Sequence, residues 1–133
     1  MHQTKTLLAA ILDVDIYLNA DQVFIASVKL LHVDQVFILG GEKLFSFAEC
    51  RDDSRYFLHF LKRCMAVNKA GKLNDLLGTA VQIQVIEQEI IGMSSLAGQD
   101  WFFPVPELKD LLRESRLSDS RGVAFHILAN ISS

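Results

Sequence analysis

Residues 21–41 read DQVFIASVKLLHVDQVFILGG, and the assignment of this stretch decides the fold. Its density of Val, Ile and Phe suits a pleated, half-buried surface better than a solvated helix. Alternation places Phe24, Ala26, Val28 and Leu30 on one side of a strand from Gln22 to Val33, with Ile25, Ser27, Lys29 and Leu31 on the other. A second strand, Val36 to Leu39, ends at Gly40-Gly41, where positive φ carries no steric cost. These glycines read as the turn of a hairpin whose return strand is Lys43 to Cys50. The pentapeptide Asp-Gln-Val-Phe-Ile stands at both Asp21–Ile25 and Asp34–Ile38. A single duplicate is too short to define a repeat family, and its expected meaning is that two strands begin alike, with Phe entering the same kind of pocket.

Working outward toward the C-terminus, Asp52, Asp53 and Ser54 are cap candidates for a helix from Ser54 to Lys69 that Gly71 stops. Its inward stripe is Phe57, Phe60, Leu61 and Cys64, extended by Met65 and Asn68, while Arg55, His59, Lys62 and Arg63 point outward. Lys62, Arg63 and Lys69 lie toward the end that the helix dipole prefers for cations. A short turn, Leu73 to Leu77, closes at Gly78. Thr79 to Ile86 alternates cleanly, with Val81, Ile83 and Val85 facing the core. Ile90 to Leu96 and Gln99 to Val105 follow as strands, the second with Trp101 and Phe103 inward and Phe102 outward. Pro106 suits the first position of a helix ending near Ser115. Ser118 to Gly122 is a polar connection, and Val123 to Ile131 alternates as a last strand. Toward the N-terminus, Leu7, Leu8, Ile11 and Leu12 have helical spacing after Thr4 and Thr6, and Val14, Ile16 and Leu18 alternate as a strand, although Asp15 and Leu18 also fit a continuing helix.

Consecutive strands favour antiparallel hairpins over β-α-β alternation, so the expected class is α+β. The expectation is a mainly antiparallel sheet covered by a long central helix and shorter terminal helices, with residues 1–133 as one domain. The order resembles PAS-like and profilin-like sheets in topology alone, which carries no function. Half of the 133 residues are hydrophobic and 22% are charged, which excludes a disordered or collagen-like chain. A net charge of −3 argues against a protein built to neutralise a phosphate backbone. Nucleic acid is therefore not an expected partner. No apolar run reaches the ~20 residues that span a bilayer, and Asp13 and Asp15 interrupt the Leu7–Leu12 run that imitates a leader. With two cysteines the chain is too poor in thiols for a disulfide scaffold, so reduced Cys50 and Cys64 in a cytoplasmic protein are expected.

The candidate chemistry is thin. His59 and Cys64 stand five apart on one helix and face different directions, which argues against a thiol mechanism. His2, His32, His59 and His126 are scattered, and no His or Cys pair has the spacing of a zinc clip, so neither metal nor cofactor is expected. Asp13 with Asp15, Asp52 with Asp53 and Glu87 with Glu89 are accounted for by caps and turns. Glu107-Leu108-Lys109 matches a bare Glu-x-Lys but sits on a helix, where the two side chains do not share a strand face. Gly40-Gly41 and Gly78-Thr79 lack the context of a phosphate loop.

What remains is apolar surface on both sides of a sheet, as at Trp101-Phe102-Phe103 and at Leu44, Phe45 and Phe47. The sequence thus points to a domain that acts by association without a catalytic constellation, through a self-complementary patch in a homodimer. The alternative is a small apolar ligand-binding sensor or carrier whose pocket, between helix and sheet, is lined by Phe57, Phe60, Trp101 and Phe103.

Overall fold

In the computed structural model the described residues are 3–46 and 54–114. The strands are β1 (Lys5–Leu18), β2 (Phe24–His32), β3 (Gln35–Gly40), β4 (Ala80–Ile86), β5 (Glu89–Ser95) and β6 (Trp101–Phe102). They form one six-stranded antiparallel sheet in the order β3-β2-β1-β4-β5-β6. Helices α1 (Glu42–Phe45), α2 (Ser54–Val67) and α3 (104–114) accompany it, with a 3-10 turn at Leu73–Leu76. The class is α+β, as expected. The covering helix is 14 residues rather than a long central one.

The N-terminal helix is corrected to strand. β1 runs unbroken for 14 residues, its first half paired with β4 (Lys5↔Val85 to Ala10↔Ala80) and its second with β2 (Ala10↔Leu31 to Leu18↔Phe24). A bulge between Ile11 and Asp13 inserts one residue, so the inward set is Leu7, Ala9 and Ile11 before it and Val14 and Ile16 after it. The bulge turns period 2 into the spacing 7, 11, 14, 18, which is that of a helix face. Two neighbouring strands satisfy the backbone of this segment, and that outweighs the helical pattern.

β2 and β3 lie where the Val/Ile/Phe density places them. Ala26, Val28 and Leu30 face the core opposite Leu39 and Phe37, and the alternation of Val81, Ile83 and Val85 in β4 holds. The return strand from Lys43 is instead helix α1 as far as Phe45, and the rest of that segment, to Cys50, lies outside the described residues. Gly40 and Gly41, at φ 89° and 90°, redirect the chain. A Cβ on Gly40 would stand 2.6 Å from the Ala26 carbonyl oxygen and 2.7 Å from the Phe60 ring, so glycine here admits α2 onto the sheet. The repeated pentapeptide does not place its phenylalanines alike: Phe37 is buried, whereas Phe24 is half exposed at the rim.

α2 buries Tyr56, Phe60, Cys64 and Val67. It is stopped two residues before Gly71 by Lys69, which takes φ 53° while the Lys69 N–H bonds to the Ala66 carbonyl and the Ala70 N–H to the Met65 carbonyl. This is a Schellman closure with lysine in the left-handed position usually given to glycine. The sheet rolls so that β3 comes beside β5: Gln35 Nε2 donates to Gln88 Oε1 at 2.6 Å, and Lys43 meets Glu89 at 3.0 Å. α2 and α3 cover the inner side of this roll, with Leu108 of α3 buried in the same core. Asp52, Asp53, the 118–122 connection and the 123–131 strand lie outside the described residues.

Candidate functional site

Among the described residues a cluster of polar groups is gathered by α2, the loop before β6 and α3. Four residues apart on α2, His59 and Arg63 stack on one face and reach across to the loop and helix that follow β5. Arg63 forms a fork with Asp100, Nη1 to Oδ2 and Nη2 to Oδ1, both at 3.0 Å. Its Nε donates to Glu107 Oε1 at 2.8 Å and its Nη2 to the Trp101 carbonyl at 3.0 Å. His59 Nε2 lies 3.0 Å from the same Glu107 oxygen, and the Phe103 N–H donates to the other one at 3.3 Å. Glu107 thereby caps its own helix, which opens with Pro104 in its first position rather than Pro106, because Glu107 N–H bonds to the Phe103 carbonyl.

The sequence reading that turned His59 and Arg63 to water is therefore corrected. Both are partly buried and partnered, with side-chain exposures of 27% and 21%. The legible signal was the i, i+4 pair itself, adjacent to the buried stripe of Phe60 and Cys64. Bonding to Asp100 raises the guanidinium's pKa above its ordinary value, and Arg63 in turn holds the Asp100 carboxyl below its usual range. With the proton on His59 Nε2, each Glu107 oxygen accepts two hydrogen bonds, so the carboxylate is fully engaged in holding α2 to α3. The thiol of Cys64 is unbridged and fully buried, and loss of solvation pushes it up to about 12. A thiol so protonated is not a nucleophile. Among the described residues no group of three His, Cys, Asp or Glu side chains is placed to hold a metal ion. His32 uses Nδ1 against the Leu8 carbonyl, 2.7 Å away; His2, His126 and Cys50 lie outside the described residues.

The four aromatic residues assigned to a ligand pocket occupy different settings. Phe60 is fully buried, its ring 5.4 Å from Phe45 and 5.5 Å from Phe102. Phe57 bridges Phe24 and Phe45. Together Phe24, Phe57, Phe45, Phe60 and Phe102 form a continuous row of ring contacts beneath α2, ended by the Arg63 guanidinium 5.5 Å above Phe102. Trp101 and Phe103 stack on each other at 5.8 Å, on the other side of β6. The inward residue of that triplet is Phe102, opposite buried Met93, so the expected polarity of β6 is inverted. β6 holds only two residues, and its phase is set by Phe60 and Met93 rather than by its own sequence.

Among the described residues two apolar surfaces stand out. The first is the outer face of β1, β2 and β3. The row Ala10, Leu31, Val36 is fixed by direct cross-strand pairing, and Leu8 and Ile38 continue it on the same face. Leu8, Val36 and Ile38 are 65%, 49% and 53% exposed. At the hairpin tip Val33 is exposed at φ 58°, a conformation costly for a β-branched residue. The second is a groove of about 500 Å³ on α2, lined by Leu58, Leu61, Met65, Ala70 and Leu73, with Lys62 among them.

Compared with protein-family models, curated proteins and solved structures, the chain gives no match. No helix among the described residues is long and apolar enough to cross a membrane.

Proposed function

We propose that the domain acts by association, pairing with a second copy of itself through the outer face of β1, β2 and β3. The observation that carries this reading is the cross-strand patch of Leu8, Leu31, Val36 and Ile38, crowned by Val33. Its exposed apolar area is on the order of 400 Å², which matches the apolar part of a standard interface of about 800 Å² per partner. The rim is polar and self-compatible, since Asp13 pairs across the strands with Lys29 and Gln82 stands opposite Leu8. Strain at an exposed hairpin residue such as Val33 is tolerated where the residue has contact work to do.

The apolar-ligand alternative has less support, because the space between α2 and the sheet is filled by the aromatic row. Sedimentation equilibrium over the micromolar range provides the test. A mass near twice 14.9 kDa that falls on dilution supports the proposal, and a mass of 14.9 kDa throughout overturns it.

A further inference from the structure

The groove on α2 faces away from the outer sheet surface and has a different character. Leu58, Leu61 and Met65 lie at i, i+3 and i+7 on α2, so they form a ridge along the helix rather than isolated side chains. The second wall is supplied by Ala70 and Leu73, which the Schellman closure at Lys69 folds back alongside the helix. Leu58 is 58% exposed, and Leu61, Met65, Ala70 and Leu73 are half-buried, so the floor is apolar and the groove stays open to solvent.

Charge distinguishes this surface further. Lys62 lines the groove, and Lys69 and Lys72 flank its residues Ala70 and Leu73 in the chain. No ion pair or hydrogen bond engages the side chains of these three lysines among the described residues, although the whole chain carries a net charge of −3. No acid lines the groove; Asp75 follows on the next turn.

We infer that this groove docks an amphipathic helix of a partner protein, one whose apolar stripe is flanked by acidic residues. From Leu58 to Met65 the ridge spans seven residues, about 10 Å of helix rise, which accommodates two turns of an incoming helix and its anchors at i, i+4 and i+7. A small ligand fits less well, because ligand sites enclose most of their ligand and this groove does not. Strand addition is excluded at this surface, since its walls are a helix and a turn whose backbone offers no free ladder. The lysines select the charge of the partner and speed its encounter.

The test uses the full chain with two synthetic helical peptides. One has leucines at i, i+4 and i+7 with glutamates between them, and in the other lysines replace the glutamates. The glutamate peptide is expected to saturate in fluorescence anisotropy and to shift amide resonances of 58–73, with the lysine peptide at least about tenfold weaker. The double variant Lys62→Glu/Lys69→Glu is expected to invert that preference while retaining a cooperative denaturation transition, lowered only by the modest cost of acids at the C-terminal end of a helix. Leu58→Ser is expected to weaken the glutamate peptide by about tenfold. Saturation by neither peptide, equal binding of both, or resonance shifts confined to β2 and β3 overturns the inference. So does loss of self-association in Leu58→Ser, which would make the groove the seam between copies. Apart from that shared outcome the two proposals fail separately: a parent chain that stays at 14.9 kDa yet binds the glutamate peptide sinks only the outer-face dimer, and a dimer that binds neither peptide sinks only the groove.

Discussion

The inner and outer faces of β1, β2 and β3 use similar residues and meet different fates. Inward, Val28, Leu30, Phe37 and Leu39 lie under the aromatic row and are buried. Outward, Leu8, Leu31, Val36 and Ile38 are half-buried or exposed. Since both faces are apolar, hydrophobicity alone did not decide which one the helices would cover. The deciding features are local: Gly40, which leaves room for Phe60, and the Arg63 clamp, which ties α2 to β6 and α3. The face that lacks these devices leaves Leu8, Val36 and Ile38 exposed, while Ile25 and Ser27 farther along it are buried.

The largest expected effect falls on the covered side. Phe60→Ala opens the middle of the aromatic row and is expected to cost about 3–5 kcal/mol by chemical denaturation. A cost below about 1 kcal/mol would mean that the row is loosely packed and that the two faces differ less than described. Next comes the clamp: Arg63→Met keeps the side-chain volume but strips Asp100 and Glu107 of their partner, at an expected cost of about 2 kcal/mol given its partial exposure. The same variant is expected to alter the acid limb of stability. The Asp100 carboxyl is held below its ordinary value by Arg63, so its contribution is present above the ordinary carboxylate range and is lost as pH falls through the lower folded value. In Arg63→Met that part of the pH dependence should flatten.

Cys64 sharpens the contrast from a different direction. Its thiol is raised by burial to about 12, so the stability gained from keeping it protonated is present below the unfolded value and fades as pH rises toward 12. Iodoacetamide at neutral pH is expected to leave Cys64 unmodified in the folded protein and to modify it on unfolding, as read by peptide mass spectrometry. Modification in the native state would contradict a closed inner side. A smaller effect is expected at the β4–β5 turn, where Glu87 and Gln88 hold φ 50° and 69° between paired Ile86 and Glu89. This is the geometry that Asn-Gly adopts freely, so Glu87→Asn/Gln88→Gly should stabilise by about 0.5 kcal/mol, net of the exposed Gln35–Gln88 hydrogen bond that it removes.

The sequence made much of the sheet legible and little of the site. β4 was readable because one face is buried along its whole length, so period 2 survives in Val81, Ile83 and Val85. β1 was not, because one bulged residue near Leu12 converts strand spacing into helix spacing. The phase of Trp101-Phe102-Phe103 was hidden because a two-residue strand takes its orientation from its neighbours. The clamp was hidden for a related reason: His59 and Arg63 border the buried stripe, and only the position of Glu107, 44 residues beyond Arg63, decides whether they face water or a carboxylate. Charged residues at the margin of an amphipathic stripe are ambiguous until the element across from them is placed.

The central claim is that the outer face is kept open for a second copy, and Ile38→Lys tests it most directly. The substitution stands in the exposed row opposite Lys29, outside the core, so the dissociated protein should lose no more than about 1 kcal/mol, the cost of a like-charged cross-strand pair, and should stay folded. In sedimentation equilibrium the variant should remain at 14.9 kDa at concentrations where the parent chain is dimeric. A variant that sediments as the parent chain does, with the lysine in place and the fold intact, would contradict the account.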